Sequence, residues 1–185
     1  MLIRILSFLL ETIFFLLIAA ALLRAWMNWV RVNMSAQPGS FVMALTDWLV
    51  KPLRRALPRS LAQSRVDWAS VIAAAVLALA YALLWALLFG LLLGALQLAP
   101  LVMLTLLSFA LKMLVRVALQ TLFVLVLGFA ILSWIQPGSP AYVLLGRLTE
   151  PVLAPLRRVI PAIGGVDISA LVLIVLLQIA LMVLV

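Results

Sequence analysis

An all-α, polytopic membrane protein is the fold class this sequence predicts, and three observations predict it. Of 185 residues, 69% are apolar and 10% charged, against roughly 45–50% and 25% in a soluble domain. Mean hydropathy is +1.38. The apolar residues fall into long runs parted by two polar connections that hold most of the Lys and Arg. The chain has no Cys and no His, which removes thiol chemistry, disulfides, histidine bases and nearly every transition-metal site. It carries no nucleophile–base set, metal ligand set or phosphate loop. We therefore expect no catalytic residues, no bound metal, no cofactor and no enzyme.

A spanning helix needs about 20 apolar residues for a hydrocarbon core of about 30 Å. The first such run is Ile5 to Trp29, interrupted by Glu11 and, near its end, Arg24. Glu11 inside the apolar stretch, and the aromatic Trp26 and Trp29 after it, argue for a retained span over a cleaved leader. The second run, Trp68 to Leu98, has no charge. The third is Val117 to Ile135 and the fourth Ile168 to Val185, about 27 Å long as a helix. Four spans put both termini on one side. The stretch Leu101 to Leu111 reads either as the start of a long third helix containing Lys112 and Arg116 or as an interfacial segment. Gly90, Gly94 and Pro100 are candidate stops before it.

Ten of the thirteen basic residues lie in or beside the two connections, and Arg4, Lys112 and Arg116 lie opposite. The positive-inside rule puts the connections in the cytoplasm and both termini outside. Trp26, Trp29, Trp48, Trp68 and Trp134 flank the connections as an aromatic belt.

The two connections repeat each other. The first reads QPGS (37–40), Thr46-Asp47, KPLRR (51–55), Pro58 and Asp67. The second reads QPGS (136–139), Thr149-Glu150, APLRR (154–158), Pro161 and Asp167. From the Thr-acid pair to the final Pro the offset is a constant 103. The predicted plan is two parallel units of helix, basic connection and helix, over residues 1–100 and 101–185.

The stretch LTEPVLAPLRRVIPAIGGVDIS, Leu148 to Ser169, resembles the signature of the YggT (YlmG) family, and ILSW at 131–134 fits it too. The first half departs from it: Val50-Lys51 stands where the second half has Leu153-Ala154, and the Gly164-Gly165 pair has no counterpart. The resemblance implies a small bacterial inner-membrane protein with plastid relatives. The bacterial members are linked to osmotic or ion stress and to neighbourhoods of cell-division genes. The plastid relatives are linked to cytochrome cofactor assembly and nucleoid distribution. No molecular activity comes with the family.

Each connection predicts one or two short amphipathic helices at the membrane surface. Pro52 and Pro155 suit a first helical turn, Thr149-Glu150 before Pro151 is a second start signal, Pro161 a stop and Gly164-Gly165 a turn. Leu49, Val50, Leu53 and Leu57, and Val152, Leu153, Leu156, Val159 and Ile160, would face lipid or the bundle. Arg54, Arg55, Arg157 and Arg158 would reach lipid headgroups, each worth about 1 kcal/mol near an anionic surface, or an acidic partner protein. The basic residues track the membrane boundary without interleaved aromatics, which argues against nucleic-acid binding.

Asp67 and Asp167 precede spans, where an Asp caps the helix start; the alternative is pairing with the Arg-Arg of a connection. Asp47 and Glu150 could meet the arginines at i,i+7 or i,i+8, although Pro52 and Pro155 would bend the segment. Glu11 inside a span calls for a partner, and we expect Lys112 or Arg116, with snorkelling to the interface the alternative. Alanine clusters at 19–21 and 73–75, with Ala78 and Ala80, mark close helix contacts, and Gly90-xxx-Gly94 is a candidate contact between chains. The reading is a non-enzymatic scaffold or assembly factor that presents basic segments to anionic lipid and an unidentified membrane or cytoplasmic protein. The alternative is a small channel or transporter subunit for ion or osmotic balance.

Overall fold

The computed structural model describes residues 1–58, 64, 66–93, 100–158 and 168–184. Among them it is all-helical, with six helices: α1 (Leu2–Trp29), α2 (Gly39–Ala56), α3 (Trp68–Leu93), α4 (Pro100–Ile135), α5 (Pro140–Arg157) and α6 (Ile168–Leu184). Three contain stretches long and apolar enough to cross a membrane: Arg4–Trp29, Trp68–Leu88 and Met103–Ile135. Helix α6 is equally apolar but has 17 residues. The segment 101–111 belongs to α4, which begins at Pro100 and runs unbroken for 36 residues.

The chain divides into two compact units. The first comprises Met1–Trp29 and Asn33–Val117, and the second Val30–Val32 and Ala118–Val185.

In the first unit α1 packs against α3, and α2 against both. Helix α3 offers a stripe of small residues, Ala69, Ala73, Ala74, Ala78 and Ala82, all nearly inaccessible. That stripe brings Ile18 and Ala21 of α1 and Val50 of α2 into the same core, which Ala110, Met113 and Val117 of α4 complete. Small side chains let helix backbones approach closely where lipid removes the hydrophobic drive between spans. Aromatic rings extend the contact, with Tyr81 stacked on Phe109 at 5.9 Å and beside Phe14 at 5.6 Å.

In the second unit α5 packs on α6. Val126 and Phe129 of α4, Leu153 of α5, and Ala170, Leu173 and Leu177 of α6 form its core. Helix α5 starts where the sequence turns: Gly138 has φ +89°, Ser139 accepts a hydrogen bond from the Tyr142 amide at 3.1 Å, and Pro140 fills the first position.

The amphipathic connection helices form, but earlier than expected. Pro52 and Pro155 stand inside α2 and α5, near their C-terminal ends, and not in a first turn. Each helix is one continuous run of 18 residues. A proline inside a helix forfeits one backbone bond at a cost of about 3 kcal/mol. Burying Val50, or Leu148 and Leu153, returns roughly 1.5–3 kcal/mol per side chain, so the helix that begins after QPGS continues through the proline. Of the two faces open to the apolar residues, the bundle takes them: Val50 and Leu153 are fully buried, and Leu49, Leu53, Leu57, Val152 and Leu156 pack on the cores.

Candidate functional site: the ion-paired connection helices

Helix α2 is tied to its neighbours by charge at its middle and near its C-terminal end. Arg24, five residues before the end of α1, is buried, with its side chain 6% exposed. Its Nη1 donates to Thr46 Oγ1 and to Asp47 Oδ1, both at 2.8 Å. Thr46 in turn donates its hydroxyl hydrogen to the Val42 carbonyl at 2.7 Å, which leaves the oxygen lone pairs for Arg24. Asp47 Oδ2 takes Lys51 Nζ at 2.8 Å, one helical turn on. The hydrogen bond from Lys51, and then Arg24, holds the Asp47 carboxyl below its ordinary value of 3.8 against an opposing push from burial.

Near the C-terminal end of α2, Arg54 Nη2 donates to Asp67 Oδ2 at 2.7 Å, and Ser70 Oγ donates to the same oxygen at 2.8 Å. The Asp67 side chain is 4% exposed, Arg54 47%. Asp67 stands directly before α3, and its backbone carbonyl accepts the Ser70 and Val71 amides. Its carboxylate pairs with an arginine of the connection and with the Ser70 hydroxyl, the alternative expected for it, and the helix amides are taken by its backbone carbonyl.

Asp47 therefore does not serve Arg54 or Arg55; its partners are Arg24 and Lys51. The reason is reach. In a helix an i,i+4 lysine lies directly over the carboxylate, and Arg24 approaches from α1 on the buried side. Arg55 is exposed, and among the described residues no ion pair is seen for it. Arg24 is the residue that sequence reasoning undervalued. It was counted among the topology-setting charges, whereas the signal present was an ionisable group inside an apolar run, which calls for a partner.

In the second unit the pairing is within α5. Arg157 Nη1 meets Glu150 Oε2 at 2.7 Å, seven residues apart, and the Arg157 guanidinium lies 5.7 Å from the centre of the Phe129 ring, within cation–π range. Thr149 is fully buried and donates to the Leu145 carbonyl at 2.8 Å. Pro151 lies inside α5, so Thr149-Glu150 is mid-helix and not a start. Arg158 caps α5. Pro161, Gly164, Gly165 and Asp167, with Val159 and Ile160, lie outside the described residues, as do Arg59, Arg65 and Gly94.

Glu11 faces Arg116 in the first unit, with Oε1 3.6 Å from Nη1 and both side chains nearly half exposed. Lys112 is exposed one turn earlier. Among the described residues no cluster of acidic side chains could hold a metal ion.

Long apolar helices joined by short, ion-paired amphipathic ones define the class: a helical membrane protein built around its connections. The CCB3/YggT family profile matches residues 3–88 and 110–185, and the chain belongs to that family. It is 37% identical to the "uncharacterized protein in proC 3'region" of Vibrio alginolyticus over 94% of this chain and 90% of that one. It is 33% identical to the "uncharacterized protein YggT" of Escherichia coli K12 over 94% and 86%, and 32% identical to an uncharacterised protein of Pseudomonas aeruginosa over 88% and 79%. No solved structure matches the chain.

Proposed function

We propose that this chain is a non-enzymatic, multi-pass scaffold or assembly factor of the bacterial inner membrane. It holds two parallel repeats of helix, basic connection and helix, with four spans, both termini periplasmic and the connections cytoplasmic. The reading is supported most by the way the connection helices are held. Helices α2 and α5 bury one face on their own unit, and their basic ends carry Lys51, Arg54 and Arg55, and Arg157 and Arg158, to the surface. Such rigid, cationic helix ends suit an acidic protein partner and anionic headgroups. The family profile matches twice, each match containing one connection, which supports duplication. Osmotic or ion stress, or cell division, is the setting that the family resemblance suggests.

A photo-cross-linker placed at an exposed position near Arg157, with Arg157 and Arg158 kept, tests the reading in the native membrane. We expect one defined cytoplasmic or membrane protein to be captured, and Arg157→Glu with Arg158→Glu to abolish capture while orientation is kept. Charge reversal that alters insertion orientation alone, with no protein captured, would reduce these arginines to topology signals.

The Glu11–Arg116 pair favours a second reading, a small channel or transporter subunit for ion or osmotic balance, since ionisable groups at membrane depth mark ion paths. Reconstituted protein giving an ion flux that Glu11→Gln removes would select it over the scaffold.

A further inference from the structure

Helix α2 has two apolar faces. Val42, Thr46 and Val50 point into the first unit and are buried. About 140° around the helix, at 100° per residue, stand Phe41, Leu45, Trp48, Pro52 and Arg55. Phe41 and Trp48 are each 60% exposed. A second apolar face on a polar connection needs an occupant.

The spans that α2 packs on fix its level. A shallow groove is walled by Leu45, Trp48 and Leu49 of α2 together with Leu17 of α1 and Leu77 of α3. Helix α1 has 28 residues, about 42 Å at 1.5 Å per residue, against a hydrocarbon slab of about 30 Å. Place all the excess on the connection side, and Leu17 still lies about 6 Å inside the slab. The same exercise on the 26 residues of α3 leaves Leu77 about 5 Å inside. The opposite placements give about 18 Å and 13 Å. With the spans along the membrane normal, every placement sets Leu17 and Leu77 inside the slab, and Leu45, Trp48 and Leu49, which line the same groove, come to the level of about 5–10 Å reached by interfacial amphipathic helices or deeper.

The chemistry of α2 agrees with that depth. Trp48 donates its indole N–H to the Leu45 carbonyl at 2.8 Å, so the ring asks nothing of water. Thr46 and Asp47 are held by Arg24, Lys51 and Val42, and Lys51 reaches outward with its side chain 65% exposed. Arg55 lies at the C-terminal end of the same face, where a phosphate would stand.

We propose that the outward face of α2, formed by Phe41, Leu45 and Trp48, is seated in the phospholipid leaflet, with Arg55 on a lipid phosphate. The helix is thus a lipid-embedded wedge clamped to α1 and α3, and not a platform lying above the surface. This rests on the reading that the connections meet a leaflet and names the lipid contact within it.

The chain has no cysteine, so single cysteines can be labelled cleanly. The full chain carrying an environment-sensitive fluorophore at Phe41→Cys or Trp48→Cys is reconstituted in phosphatidylcholine–phosphatidylglycerol vesicles, with Asn33→Cys as the aqueous reference. Both side chains are mostly exposed, so the substitutions spare the core. Labels at 41 and 48 should emit blue-shifted light, be quenched at least twofold more by spin-labelled lipid than the label at 33, and resist iodide. Iodide access equal to that at 33 would overturn the seating and hand the face to a protein or to water. Arg55→Gln should leave the label at 41 unchanged and lower the preference for labelled phosphatidylglycerol over phosphatidylcholine about twofold. An unchanged preference would overturn the phosphate contact. Cross-linking from a position near Arg157 on α5 reads the scaffold proposal independently, so either can fail without the other.

Discussion

The tie between Arg24 and Asp47 predicts an asymmetric mutational response. Arg24 is nearly inaccessible, whereas Asp47 keeps 29% of its side-chain surface and a second cation, Lys51. Asp47→Ala strands a buried guanidinium with only the Thr46 hydroxyl. Breaking a buried pair from one side costs about 3–5 kcal/mol, and the remaining hydroxyl and the partial exposure of the site place this variant near the lower end, about 3 kcal/mol. Arg24→Met strands nothing, since Asp47 retains Lys51 and solvent, and the unbranched apolar chain fills part of the space. Its cost should be about 1–2 kcal/mol. Once the arginine is gone, removing Asp47 as well should cost little more, giving a coupling of about 2 kcal/mol. Lys51→Ala removes an exposed i,i+4 pair and should cost about 0.3–0.5 kcal/mol. Unfolding free energies of the four variants in one detergent–lipid mixture measure the cycle. If Asp47→Ala is as mild as Lys51→Ala, or the double variant equals the sum of the singles within about 0.5 kcal/mol, the buried-pair argument is wrong.

Acid should weaken the same tie. The folded Asp47 carboxyl titrates below its ordinary 3.8, so its contribution is complete above that value and is lost as pH falls through the folded one. Unfolding midpoints between pH 5 and pH 2 should therefore fall more for the parent chain than for Asp47→Ala. Gly39→Ala should destabilise by about 1–3 kcal/mol, because a Cβ there would sit 2.7 Å from the Met34 backbone. Gly146→Ala meets only the Phe129 ring edge at 3.4 Å and should be neutral or gain up to about 1 kcal/mol of helix propensity; thermal scans of the two variants decide. Glu11→Gln should change stability by about 1 kcal/mol or less, since the pair with Arg116 is long at 3.6 Å and the amide oxygen can still accept from the guanidinium; a loss near 3 kcal/mol would mean that the pair is a buried strut.

What the sequence made legible follows from what a linear pattern can carry. Run length and charge placement located the long apolar helices, because a span needs about 20 apolar residues whatever it packs against. The pairing of Glu150 with Arg157 was within reach because both lie on one helix, where spacing alone sets the geometry. The pairing of Arg24 with Asp47 was not, since it joins residues 23 positions apart on two helices whose crossing no periodicity records. The start of α2 was missed for a related reason. Proline's suitability for a first turn is a local preference, and the burial of Val42, Thr46 and Val50 outweighs it over 18 residues. That shift has a consequence for function. If the helix began at Pro52, its apolar residues would form one face and the connection would be a surface ledge. Because it begins at Gly39, it gains Phe41, Leu45 and Trp48 on a second face, and it carries Thr46 and Asp47 over Arg24 of α1. The buried arginine and the outward aromatic face are thus two results of one displacement, the start of the helix at Gly39 instead of Pro52.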